Sequence, residues 1–210
     1  MNSKAYEKVK QAIQNLANEY KNELSSQINK RMYEMTFDNN SHHLIYRILG
    51  ISPLEGNLID VYQNKGRFLY KYAGSFLEAA TFICFKSKYP NAKKERINNT
   101  ISQKPNEFEI DCLIEKDALE IKWRDATTDG DHIAKEHARI QAIKAHGLRP
   151  IRVMFYYPNR GQAIRIQETL RTAYNGVGGE YYSGDSAWRY VREKTDIDLF
   201  KLLEELANEY

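Results

Sequence analysis

Asp111, Glu120 and Lys122 are the residues whose types and spacing form a chemical unit in this chain. They fall within EFEIDCLIEKDALEIKWRDATTDGDH, residues 107–132. Two carboxylates and an amine gathered on one side of a sheet suit metal-assisted hydrolysis of a phosphodiester. The carboxylates hold a divalent cation, which polarises a phosphoryl oxygen and lowers the pKa of bound water; the ammonium orients that water and screens developing charge. Such chemistry needs an element that brings residues 111 and 120 side by side.

The same stretch supplies one. Two apolar-alternating runs, 107–114 and 117–124, flank Glu115-Lys116 and predict an antiparallel hairpin. Pairing about that turn sets Asp111 opposite Glu120 and Glu109 opposite Lys122. Phe108 then pairs with Trp123, Ile110 with Ile121 and Cys112 with Leu119. Side chains alternate faces with period two, so one face is apolar and the other charged. A charged, solvated strand face is ordinary, and Glu109–Lys122 reads equally well as a plain cross-strand ion pair. Directly opposed carboxylates are less ordinary, because like charges across a ladder destabilise it. Their Cβ atoms would lie about 4.5–5.5 Å apart. Both could then reach one magnesium ion, whose oxygen ligands lie at about 2.1 Å.

Asp111, eight intervening residues and Glu120-Ile121-Lys122 resemble the PD-(D/E)XK nuclease motif, with Ile110 where the nominal motif has proline. The resemblance implies that Asp111 and Glu120 bind Mg2+, that the carbonyl of Ile121 also contacts it, and that Lys122 serves the attacking water. It further implies an extra catalytic glutamate on the helix before the core sheet. Glu78 is the residue so placed, beside Gly74, Ser75 and Thr81, although an ordinary surface glutamate is the bland alternative. The continuation WRDATTDGDH resembles type II restriction endonucleases of the ApaLI-like group. That kinship implies an α/β, restriction-endonuclease-like core with a central mixed sheet flanked by helices, plus a helical N-terminal region. Sequence-specific cutting of palindromic double-stranded DNA is implied as well, at GTGCAC if the kinship is ApaLI-like. So are a homodimer and a cognate methyltransferase that protects the host site without direct contact.

Composition bounds these expectations. A chain of 210 residues with 42% hydrophobic and 28% charged residues is globular and suits one nuclease domain, 1–210. Within it, 1–50 reads as a helical subregion and 65–175 as the catalytic core. Net charge is only +3, so any nucleic-acid surface must come from local arrangement of Lys and Arg. The 15 tyrosines could line a groove, but core and rim are their commoner place. Cys84 and Cys112 sit in apolar patterns and read as buried thiols. No apolar run approaches the length of a membrane span, and a cytoplasmic setting is expected.

Around the hairpin, residues 3–35 carry apolar residues at steps of three and four from Tyr6 to Met35, predicting one long helix. Ser41 is the expected cap of a short helix ending at Gly50. His42-His43 read as solvated helix-start histidines, with no second ligand pair at zinc spacing. Pro53–Gln63 and Lys65–Lys88 are expected as two helices, the second burying Phe68, Leu69, Tyr72, Phe76, Ala79, Ala80 and Ile83. Residues 89–105 read as loop with a short strand hidden near 96–101, and Lys93, Lys94 and Arg96 there are candidate phosphate contacts. A helix capped by Asp129 or Asp131 runs to His146, and His132 and His137 on it are read as structural. A strand covers 150–157. A helix continues the chain to about Ala173, then a flexible glycine-rich loop, NGVGGEYYSGDS, then helices near 186–194 and 197–208.

Sequence-reading contacts are expected from Arg124, Asp125, Thr127, Thr128 and Asp129, next to the scissile phosphate. Lys135 and Arg139 form a candidate phosphate edge, with Arg152, Tyr156 and Arg160 as further DNA-binding candidates. Two rivals accompany the restriction reading. One is a structure-specific repair or junction-resolving nuclease of the same fold; the other is a non-catalytic DNA-binding module. The intact Asp111, Glu120 and Lys122 weigh against the second.

Overall fold

The computed structural model describes residues 3–102, 104–124 and 130–209. Its elements are α1 (Ser3–Met35), α2 (His43–Ile48), α3 (Pro53–Lys88), β1 (Lys93–Asn98), β2 (Glu107–Ile114), β3 (Asp117–Arg124), α4 (Gly130–Ala145), β4 (Arg149–Tyr156), α5 (Gly161–Gly176), β5 (Glu180–Ser183), α6 (Asp185–Thr195) and α7 (Leu199–Ala207). By contacts the chain divides into two compact units, Met1–Gln14 with Leu77–Tyr210, and Asn15–Phe76. Among the described residues no helix is long and apolar enough to cross a membrane.

The larger unit is α/β, with a five-stranded mixed sheet in the order β1-β2-β3-β4-β5. β1, β2 and β3 pair antiparallel, and β3, β4 and β5 pair parallel. β4, with its run of apolar residues, has a strand on each side and is buried from Pro150 to Phe155. α4 covers β1–β3: Ala138, Ala142 and Ile143 pack on Ile97, Phe108, Ile110 and Ala118. Each large side chain buried there contributes about 1.5–3 kcal/mol. In α3 the buried positions of this unit are Leu77, Ala80, Thr81, Cys84 and Phe85, a stripe at steps of three and four. Leu69, expected on the buried face, is exposed.

The hairpin strands occupy the expected spans, but their faces do not alternate as expected. From Lys93 to Glu95 the β1 register advances two residues while β2 goes back three, from Leu113 to Ile110. β2 therefore carries an extra residue, a bulge between Ile110 and Leu113. Phe108, Ile110 and Leu113 consequently pack in one cluster with Ala118. The β2–β3 ladder comprises Cys112↔Leu119, Leu113↔Ala118 and Ile114↔Asp117 and stops there. Cys112 pairs with Leu119 as expected. Asp111 and Glu120, and Glu109 and Lys122, are not ladder partners.

Four other expectations change. Residues 53–88 form one helix, not two: nothing near Asn64 breaks it, and the Asn64 amide donates to Asp60 O one turn back at 2.9 Å. The first strand is Lys93–Asn98, set by its pairing with β2 and not by local pattern. The short helix is preceded by His42, with no side-chain cap. The glycine-rich loop contains β5. Gly179 belongs there because a Cβ would come within 2.4 Å of Pro150 O, so only glycine lets the chain pass close enough to start pairing with β4.

The smaller unit is helical. Tyr20 meets Tyr72 and Phe76 edge-on, each at 5.9 Å between ring centroids. Arg31 donates to Asn64 Oδ1 at 3.2 Å and to Asp38 Oδ2 at 2.7 Å.

Candidate active site

Asp111 lies on the bulge, and the bulge determines what its carboxylate can reach. Its Oδ2 accepts a hydrogen bond from the Ile121 N–H at 2.7 Å, satisfying a backbone donor just past the end of the ladder. Lys122 Nζ stands 3.8 Å from the same oxygen and 2.5 Å from Glu120 Oε1. The two acids thus share one ammonium on the same side of the sheet. Neither faces the solvent: Asp111 is 6% exposed and Glu120 2%.

A ladder of alternating charge stands behind Glu120. Its Oε2 accepts from Arg139 Nη1 of α4 at 2.5 Å. Arg139 Nε lies 3.1 Å from Glu136 Oε1. Glu136 Oε2 in turn takes Arg152 Nη1 at 2.8 Å and the Tyr174 hydroxyl at 3.4 Å. Burying charges is tolerable only when each is paired, and here every acid meets a guanidinium.

These surroundings drive the acids apart. Burial, and then the neighbouring Glu120 carboxylate, pushes Asp111 up to about 7. Burial would raise Glu120 too, but Lys122, Arg139 and Arg152 outweigh it and hold this carboxyl below the ordinary value. For Lys122 burial favours the neutral amine, yet Glu120 and Asp111 prevail and keep it charged above the usual lysine value. With both carboxylates facing it and no ion between them, Lys122 is a hydrogen-bond donor.

On α3, Glu78 accepts from Lys94 Nζ at 2.5 Å. Glu78, Glu109 and Asp111 each bring a carboxylate oxygen within 4.8 Å of the other two. Glu120 Oε1 is buried without a well-aligned hydrogen bond, its near neighbour being the Lys122 ammonium. An all-oxygen donor set, with a buried carboxylate oxygen held only by the Lys122 ammonium beside it, fits a hard divalent ion.

A family model described as ApaLI-like restriction endonuclease matches residues 1–208. The chain belongs to the ApaLI-like restriction endonuclease family. It is accordingly a type II restriction endonuclease, a nuclease and hydrolase of double-stranded DNA. No curated protein and no solved structure matches it.

For this restriction endonuclease the DNA-facing expectations sort by burial. Arg124 is exposed at the end of β3, its guanidinium 5.6 Å from the centroid of the Trp123 ring. Lys135 on α4 and Arg160 before α5 are exposed, as is Tyr156. Asp125, Thr127, Thr128 and Asp129 lie outside the described residues. Arg152 is corrected: it is 2% exposed and paired with Glu136 in the core, out of reach of a duplex. Arg139 is also engaged internally, with Glu120, Glu136 and the Glu109 carbonyl. Lys93, Lys94 and Arg96 pair with Glu95, Glu78 and Glu109 respectively.

Sequence reasoning missed Glu136, which reads as one more charge on a polar helix. It also took Glu109 as the partner of Lys122, whereas Glu109 faces Arg96 and Lys94. The alternation signal could not have found the second, because a bulge leaves no mark in hydrophobic period.

Proposed function

We propose that this restriction endonuclease requires magnesium and cuts both strands of a palindromic site as a homodimer, with GTGCAC the sequence to test first. The observation that carries the proposal is Lys122 Nζ lying 3.8 Å from Asp111 Oδ2 and 2.5 Å from Glu120 Oε1, beside the Glu78–Glu109–Asp111 oxygen cluster. It resembles the two-acid, one-amine constellation of the PD-(D/E)XK pattern. Asp111, Glu120 and the Ile121 carbonyl would hold the ion, with Glu78 and Glu109 beside Asp111. A bound Mg2+ supplies Lewis-acid polarisation of the scissile phosphate and a more acidic water.

The chain's own groups then have definite tasks. The Ile121 N–H fixes the direction of Asp111. Arg139 fixes Glu120 through Oε2, leaving Oε1 turned to Lys122. The Lys122 ammonium donates a hydrogen bond to the attacking oxygen or to a non-bridging phosphate oxygen, and offsets the negative charge that builds there. Arg124, Lys135 and Arg160 are the exposed cations suited to phosphates or guanine edges, and Asp125, Thr127, Thr128 and Asp129 complete the reading set by their sequence neighbourhood.

Each chain carries one such constellation and a duplex has two strands, so a twofold pair supplies two centres. Exposed large apolar residues gather in 33–70, among them Leu44, Ile45, Ile48, Leu49, Leu54 and Leu58, the kind of patch that marks a contact surface. A cognate methyltransferase protecting the host site acts on DNA and needs no contact with this chain.

Digestion of a plasmid of known sequence tests the reading, with and without Mg2+, for wild type, Asp111→Ala and Lys122→Ala. Discrete fragments with identical mapped ends, only from wild type with metal, are expected. Fragments of random size point instead to a structure-specific nuclease. Cleavage that survives Asp111→Ala removes the mechanism.

A further inference from the structure

The smaller unit holds a second convergence of ligand-type side chains, unrelated to the sheet. His42 and His43 are adjacent in sequence, and Asp60 lies on α3. His42 Nε2 is 3.0 Å and His43 Nε2 2.9 Å from the same oxygen, Asp60 Oδ2. The other carboxylate oxygen is taken by the Tyr46 hydroxyl at 2.9 Å. The two imidazoles stand nearly perpendicular, at 76° and 4.5 Å between centroids, so their nitrogens reach Oδ2 from different directions. His43 stacks on Tyr46 at 22°, which fixes its ring. Gly56 makes room for that stack, since a Cβ there would come within 2.7 Å of the Tyr46 ring. All three ligand atoms lie within 4.8 Å of one another.

We propose that His42, His43 and Asp60 bind a divalent d-block cation of the zinc class, with a water completing the coordination. Two imidazole nitrogens select such an ion over magnesium, which takes oxygen donors. Tetrahedral bonds of about 2.0–2.2 Å put neighbouring ligand atoms about 3.3 Å apart. The observed 2.9 and 3.0 Å need only a few tenths of relaxation for one cation to sit between the two Nε2 atoms and Oδ2. The Tyr46 hydroxyl is the outer partner that orients the carboxylate, as metal-bound carboxylates commonly require. The His42 side chain is 49% exposed, which gives water and the ion a way in.

The ion's work is structural. α2 has six residues, too few to persist without tertiary contacts. Ligands on both sides of the 44–59 segment clip α2 to α3 and restrict the unfolded chain.

The test uses the full chain carrying Asp111→Asn and Glu120→Gln, so that the acidic cluster on the sheet is weakened and the nuclease reading is not at stake. Zinc titration by calorimetry is expected to show one equivalent. Copper(II) in the same site is expected to give an electron paramagnetic resonance spectrum with coupling to two nitrogens. Adding His42→Gln, a change at a half-exposed position, drops the coupling to one nitrogen and abolishes the zinc-induced rise in Tm. His137→Gln, on exposed α4 surface, leaves both unchanged. Absence of stoichiometric zinc binding overturns the proposal, and so does a copper spectrum indifferent to His42→Gln.

Discussion

Asp60 and Asp111 are the same residue type in two settings, and they titrate in opposite directions. Hydrogen bonding from His43, then from His42 and Tyr46, overcomes partial burial and holds Asp60 at about 2. Asp111 receives one backbone N–H and a lysine at 3.8 Å, and it is crowded by Glu120 and Glu78. Burial and like charge carry it to about 7. A carboxylate surrounded by donors is already satisfied, so an ion arriving there must displace those donors. A carboxylate crowded by acids gains from any cation that arrives. The contrast matches the two ions proposed above: a hard, oxygen-seeking one at the sheet and a nitrogen-seeking one at the histidines.

The sharpest way to break this contrast is to remove each acid in turn. Asp111→Ala should cut the cleavage rate about a thousandfold or more, the scale of losing a principal charge stabiliser in the transition state. Metal-free DNA binding in a gel-shift assay should persist. If cleavage falls only severalfold, crowding of acids at Asp111 has another purpose. Next in size is Arg152→Met. It takes one of two guanidiniums from buried Glu136 and leaves Oε2 with only the Tyr174 hydroxyl, so urea unfolding should show a loss of about 3 kcal/mol. Were Arg152 a DNA contact instead, the salt dependence of DNA binding would change and the unfolding midpoint would not.

A smaller effect is expected from Arg139→Lys, which keeps the charge but loses the forked geometry that serves Glu120 and Glu136 together. A loss of about 10–100-fold in cleavage or in metal affinity is expected, the usual scale for a group that orients a ligand. Stopped-flow metal binding and steady-state cleavage separate the two. Unchanged kinetics would mean that Glu120 is positioned by its strand alone.

Some of this was legible in the chain and some was not, for reasons that can be named. The hairpin spans were readable because alternation over eight residues is a strong signal, and the identities of Asp111, Glu120 and Lys122 needed no geometry. The bulge was not readable, since one extra residue changes which side chains share a face without changing composition. β5 was hidden because four residues among glycines look like a loop until β4 lies beside them. Arg152 looked like a surface cation because sequence gives no sign that Glu136 waits across the core. The same blindness applied to His42 and His43, whose partner Asp60 sits on another helix.

Stability against pH offers the gentlest test of the contrast, and the signs differ. Asp111 has a folded value above its unfolded one, near 4, so between about pH 4 and 7 the folded state holds more protons than the unfolded. Its contribution to the metal-free protein is therefore fully present below about 4 and lost as pH rises to about 7. Asp60 is depressed to about 2, so the unfolded state holds more protons between about 2 and 4. Its contribution is present above about 4 and lost as pH falls through about 2. Urea midpoints measured from pH 2 to 8 should thus flatten between 4 and 7 for Asp111→Asn, and between 2 and 4 for Asp60→Asn. The second change is the smaller, because the half-exposed His42 leaves Asp60 open to screening by solvent. Saturating Mg2+ should reverse the slope between 4 and 7 in wild type, since the ion binds the ionised carboxylate and competes with its proton. A slope that Asp111→Asn does not touch would place the upper titration on another group, and the crowded-acid account of the sheet site would fail with it.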